Sequence, residues 1–166
     1  MNFCSNTNSA LFFSSVDKIS DEIWRNLDCE NNVYFHRSFL KAIEENHPDI
    51  IFSYIVLVDK HKNPTAFASI QIVDFYIDTI KNDIEILIRK LKNIGRKFHI
   101  IPDKKPLKLL ICGNTFVSGE HGIFIKQKQD KKLLIKKLAK AILHFSNADK
   151  KLKIDAFLLK DFINES

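Results

Sequence analysis

The chain reads as an α/β protein built on a mixed, mostly antiparallel sheet flanked by helices. Two long runs rich in Ile, Val, Phe and Tyr, Ile51 to Asp59 and Thr65 to Tyr76, are separated by Lys60-His-Lys-Asn-Pro64, which has the composition of a hairpin turn. They are expected to pair antiparallel. Further on, a strand, helix, strand order over Leu107 to Leu159 predicts a parallel crossover. A hairpin excludes an all-parallel sheet and a crossover excludes an all-antiparallel one, so a mixed sheet satisfies both.

The remaining elements follow in order. Leu11 to Ser14 has the pattern of a short first strand, and Ser20 is placed to cap a helix carrying Ile23, Trp24 and Leu27. A second helix is expected from about Ser38 to Asn46, with Phe39, Leu40 and Ile43 apolar and Pro48 closing the pair. After the hairpin, Asp78 or Thr79 begins a helix bearing Ile80, Ile84, Leu87, Ile88, Leu91 and Ile94, ended by Gly95. Pro102 and Pro106 bracket a basic connector, Leu107 to Cys112 forms a strand, and a glycine-bearing loop leads to a helix over Gln129 to Ser146. Lys153 to Leu159 makes the last strand.

Composition narrows the class. A length of 166 residues with 45% apolar side chains suits one domain with its own core. The longest apolar runs, such as Ile55 to Val58, fall far short of the roughly 20 residues that span a bilayer. The N-terminus has no basic start and no signal-peptide core, so a cytoplasmic location is expected. Cys4, Cys29 and Cys112 lack CxxC spacing, and neither a disulfide framework nor a metal site is indicated. His36, His47, His61, His99 and His144 show no metal-ligand spacing either.

Charge is divided unevenly. Residues 1–50 hold eight acidic and four basic side chains against 12 and 22 in the rest, giving formal charges of −4 and +10. Much of the basic excess lies on the Gln129 helix, where Lys132, Lys136 and Lys140 share one side and Leu134, Leu138 and Ile142 another. A solvated helix face accounts for it, and no interleaving of aromatic and basic residues supports nucleic-acid binding.

The feature that carries function is the glycine distribution. The chain has only four glycines, and Gly113, Gly119 and Gly122 fall in one ten-residue stretch directly after the Leu107 strand. Such a cluster marks backbone that turns with positive φ or approaches something closely, and the sequence leaves both readings open. Asn114 reads equally as a site residue and as a turn residue bonding its own backbone. Gln71, polar within Ser69-Ile-Gln-Ile-Val73, points either into a cleft or outward from its strand. Cys112, in an apolar strand, reads as core.

The element order resembles the acyltransferase fold of the GNAT superfamily. The run Leu109-Leu-Ile-Cys-Gly-Asn-Thr-Phe-Val-Ser-Gly-Glu-His-Gly122 is similar to the central motif of GNAT-like proteins related to the Fem-type peptidyltransferases, a group tied to peptidoglycan biosynthesis or recognition. Phe39-Leu40-Lys41-Ala42-Ile43-Glu44 with Pro48, and Ala68-Ser69-Ile70-Gln71-Ile72, are similar to that group's earlier blocks. A complete GNAT domain continues past its fifth strand, so the resemblance implies that residues 1–166 form one GNAT-like domain in the N-terminal part of a longer protein. The chain departs from the family in lacking the Gln/Arg-x-x-Gly-x-Gly/Ala spacing of the usual pyrophosphate loop.

The resemblance implies transfer of an acyl group, from acetyl-CoA or an aminoacyl donor, to a small-molecule or peptide amine. Gly113 and Asn114 would offer backbone N–H groups to the acyl carbonyl. Gly119 and Gly122 would lie near donor phosphates, ahead of the next helix. Glu120, with His121 beside it, would accept the amine proton. The alternative is a non-catalytic recognition domain that binds a partner, or its own C-terminal half, through an apolar edge beside the last strand.

Overall fold

A computed structural model describes residues 2–3, 9–76, 106–117, 119, 122–148 and 152–159. The helix expected from Asp78 to Gly95 lies outside the described residues. Strands β1 (Asn2–Phe3), β2 (Ser9–Phe13), β3 (Ile51–Val58), β4 (Pro64–Phe75), β5 (Leu107–Cys112) and β7 (Ala156–Leu159) follow one another across a single sheet in that order, and β6 (Ile123–Ile125) also pairs with β4. Every neighbouring pair is antiparallel except β5 with β7, which is parallel. The fold is therefore α/β with a mixed, mostly antiparallel sheet.

The helices are α1 (Asp21–Leu27), α2 (Arg37–Asn46) and α3 (Lys131–Ala148), and side-chain caps start the first and the last. The Ser20 hydroxyl accepts the Ile23 N–H at 3.3 Å, and the Asp130 carboxylate accepts that of Leu133 at 3.0 Å. Glu44 on α2 fastens the segment leading into α1, with one oxygen accepting the Val16 N–H and the other the Ser15 hydroxyl, both at 2.7 Å.

The period of two along β3 and β4 sorts their side chains onto two cores. On one face Phe52, Tyr54, Val56, Val58 and Phe67 meet Trp24, Leu27, Phe35 and Leu40. Phe67 is the hub, with Trp24 and Phe35 edge-on at 5.4 and 6.0 Å and Tyr54 stacked at 5.7 Å between ring centroids. On the other face Ile55, Leu57, Ala66, Ala68, Ile70, Ile72, Leu110 and Cys112 meet Leu134, Leu138, Ala141 and Ile142 of α3. Covered on both sides, β3 from Phe52 and β4 through Ile72 are buried without a break. The elements expected at Ile51–Asp59, Thr65–Tyr76 and Leu107–Cys112 thus form within one or two residues of their expected ends.

Candidate functional site at the end of strand β5

Strands β5 and β6 lie end to end along the same edge of β4. Cys112 at the close of β5 pairs with Ile70, and Ile123 at the start of β6 pairs with Ala68. One β4 residue, Ser69, lies between, and two glycines serve it. The Ser69 carbonyl accepts the Gly113 N–H at 3.1 Å, and the Ser69 N–H donates to the Gly122 carbonyl at 2.9 Å. The pair forms the neck of a loop set into an otherwise continuous strand, a large relative of the β-bulge.

This neck explains two of the three glycines. A Cβ on Gly122 would stand 2.5 Å from the Gly113 Cα and 2.8 Å from its nitrogen, distances no side chain tolerates. Gly113 has φ 146°, and Gly119 has φ 109°, a conformation that disfavours side chains. Close approach at the neck is of chain to chain. Glu120 and His121 lie outside the described residues.

Past the neck, the turn is held from three directions. Asn114 is buried, and its Oδ1 accepts the Phe116 N–H at 2.9 Å, the turn role that its residue type allows. Gln71, on β4, is buried as well; its Oε1 accepts the Thr115 N–H at 2.9 Å and the Thr115 hydroxyl at 2.7 Å. The Phe116 ring stacks on His47, the residue that ends α2, with centroids 4.0 Å apart and planes 25° from parallel. Gln71 therefore points neither to solvent nor to an empty cleft. It grips the turn.

The amides at the strand end divide in their use. Those of Gly113, Thr115 and Phe116 are already hydrogen-bonded within the protein. For the Asn114 N–H no hydrogen bond to another described residue is seen. Burial alone pushes the Cys112 thiol up to about 12, so it is protonated at neutral pH and serves as core. Among the described residues, no group of three His, Cys, Asp or Glu side chains is placed to hold a metal ion.

Beside this turn the parallel pairing of β5 with β7 runs in register from Leu109 with Ala156 to Cys112 with Leu159. Asp155 sets that register, because its N–H donates to the Lys108 carbonyl at 2.9 Å while its carboxylate accepts the Lys108 N–H at 2.8 Å. Strand β7 is the outermost strand on this side among the described residues. Phe157, Leu158 and Leu159 remain 42 to 48% exposed.

Sequence reasoning missed β6, a three-residue strand inside what reads as loop. It also missed the Phe116 and His47 stack, for which the sequence carries no signal, since the two lie 69 positions apart. Among the described residues no helix is long and apolar enough to cross a membrane.

No family model matches the chain, and no curated protein does. Among solved structures, a mutant of the BH1408 protein from Bacillus halodurans aligns over 93% of this chain and 83% of its own, with 12% identity and a TM-score of 0.45. A likeness at that level carries no argument about function.

Proposed function

We propose that the chain is a GNAT-like N-acyltransferase domain that receives an acyl donor at the end of β5 and passes the acyl group to an amine. The observation that supports this is the sheet order. Paired strands β1 and β2, two helices, the antiparallel β3–β4 hairpin, β5 ending in a tight loop, the short β6 back on β4, α3 and the parallel strand β7 follow in that order among the described residues, with the strands in one sheet. In the proposed reaction the amine nitrogen attacks the acyl carbonyl carbon, the new C–N bond forms, and the C–S or C–O bond to the donor breaks. The Asn114 N–H stabilises the developing oxyanion, and Glu120 or His121 in the same loop takes the amine proton that the leaving group finally acquires. Gly119, inside the loop that the neck closes, is placed by sequence to approach donor phosphates, while Gly113 and Gly122 shape the loop's exit and return. Isothermal calorimetry with acetyl-CoA on the wild type and on Gly119→Val tests the donor. Saturable heat for the wild type, lost in the variant, supports the proposal, and no heat for either protein rules out acetyl-CoA.

A second reading, a recognition domain of the same fold, is favoured by β7. Its exposed Phe157, Leu158 and Leu159 form an apolar outer strand among the described residues, suited to adding a further strand from a partner. Sedimentation of the wild type and of Leu158→Lys discriminates. Concentration-dependent association abolished by the lysine supports an adhesive edge, and monomers throughout speak against one.

A further inference from the structure

Gln71 is a polar residue in the most buried stretch of the chain. It is 1% exposed, its partners across the sheet are Phe52 on β3 and Ile111 on β5, and its neighbours along β4 are Ile70 and Ile72. A carboxamide in such surroundings is costly unless it is hydrogen-bonded. Its carbonyl oxygen spends its acceptor capacity on Thr115, an exposed residue three positions past the end of β5, taking both the backbone N–H and the hydroxyl.

The other two contacts on this turn have different reach. The bond from the Phe116 N–H to Asn114 Oδ1 joins residues two apart, so it shapes the turn without placing it. The stack of Phe116 on His47 places the turn's outer side, but Phe116 is 42% exposed and the contact is directionally soft. The neck bonds on Ser69 fix only where the chain leaves β4 and returns. Gln71 ties the turn to the interior of the sheet by two directed hydrogen bonds.

We infer that Gln71 is the positioning residue of this site, setting where the Asn114 amide stands relative to the end of β5. Its effect on acyl transfer rests on the reading proposed above; its grip on the turn does not. Gln71 touches no reacting atom and acts through Thr115.

Two measurements on Gln71→Leu, Gln71→Glu and Thr115→Val test this. In the first, amide hydrogen exchange, Gln71→Leu accelerates the amides of residues 115 and 116 by about tenfold or more while those of Ser69 and Gly113 keep their wild-type rates. Gln71→Glu preserves protection, because the neutral carboxyl favoured by burial still offers an acceptor oxygen. Thr115→Val, which keeps the backbone bond and loses the hydroxyl, falls between and stands alone if Gln71→Leu does not fold. Unchanged rates in Gln71→Leu or in Thr115→Val overturn the inference, as do equal acceleration of all four amides or Gln71→Glu exchanging as fast as Gln71→Leu. In the second, acetyl-CoA titration, binding weakens about tenfold in Gln71→Leu and recovers in Gln71→Glu. Equal affinity in wild type and Gln71→Leu overturns the positioning role. No binding to wild type instead overturns the donor reading, and the exchange rates then decide the grip by themselves.

Discussion

Replacing Gly122 with alanine tests the two-glycine neck with a single methyl group. The added Cβ would meet three backbone atoms: the Gly113 Cα at 2.5 Å, the Gly113 nitrogen at 2.8 Å and the Cys112 carbonyl carbon at 3.2 Å. Ordinary van der Waals contact begins at 3.4 Å, so the two chains must part by about 0.9 Å at the closest point. No side chain can turn aside to absorb this. The neck is fixed on one side by Cys112 paired with Ile70 and on the other by Ile123 paired with Ala68. The strain therefore falls on the Ser69 bonds, 3.1 and 2.9 Å long, which would stretch past hydrogen-bonding range. Overpacking costs about 1–3 kcal/mol and a weakened buried backbone bond about 1 kcal/mol more, so a loss of about 2–4 kcal/mol is expected. Urea unfolding followed by tryptophan fluorescence from Trp24 reads it as a midpoint lowered by about 1–2 M at unchanged slope. A Gly122→Ala variant within about 0.5 kcal/mol of wild type would refute the neck.

Three further outcomes follow from burial and charge. Leu138 is fully buried where α3 meets β3 and β4, so Leu138→Ala lowers stability by about 2–5 kcal/mol in the same unfolding assay. Burial, the largest cause in each, pushes the Cys29 and Cys112 thiols up to about 12. Peptide-resolved mass spectrometry after iodoacetamide at pH 8 should find both unmodified in the native protein and modified after unfolding. At the hairpin turn, the Asp59 carboxylate accepts the backbone N–H groups of Asn63 and His61, which lowers its pKa below the usual 3.8. A lowered folded-state pKa contributes stability above the unfolded value that is lost as pH falls through the folded one. An NMR titration of Asp59 should thus show a midpoint below 3.8, and Asp59→Asn should flatten the acid limb of the stability profile.

The sequence carried the fold well where one local rule sufficed. Ser20 capping a helix, alternating β-rich runs either side of Lys60 to Pro64, and the helical period of Leu134, Leu138 and Ile142 each act over a few residues, and each element forms. The site was less legible because its contacts are long-range. Clustered glycines announced a special loop, but only register along β4 shows that Gly113 and Gly122 oppose the same Ser69. Asn114 left two roles open, and its Oδ1 bond to Phe116 shows the turn role. Gln71 is ambiguous in sequence because a polar residue in a strand ordinarily faces water, and its partner Thr115 lies 44 positions away. Strand β6 is three residues long, too short for a period of two to register.

The most direct test of the proposed acyl-donor site is a residue-resolved NMR titration of the labelled protein with acetyl-CoA, using free coenzyme A as the reference. The account predicts saturable shifts centred on the amides of Asn114, Thr115 and Gly119, with the Asn114 amide distinguishing the acetylated donor from the free thiol. Shifts confined to α3 or β7, or none up to millimolar donor, would contradict it.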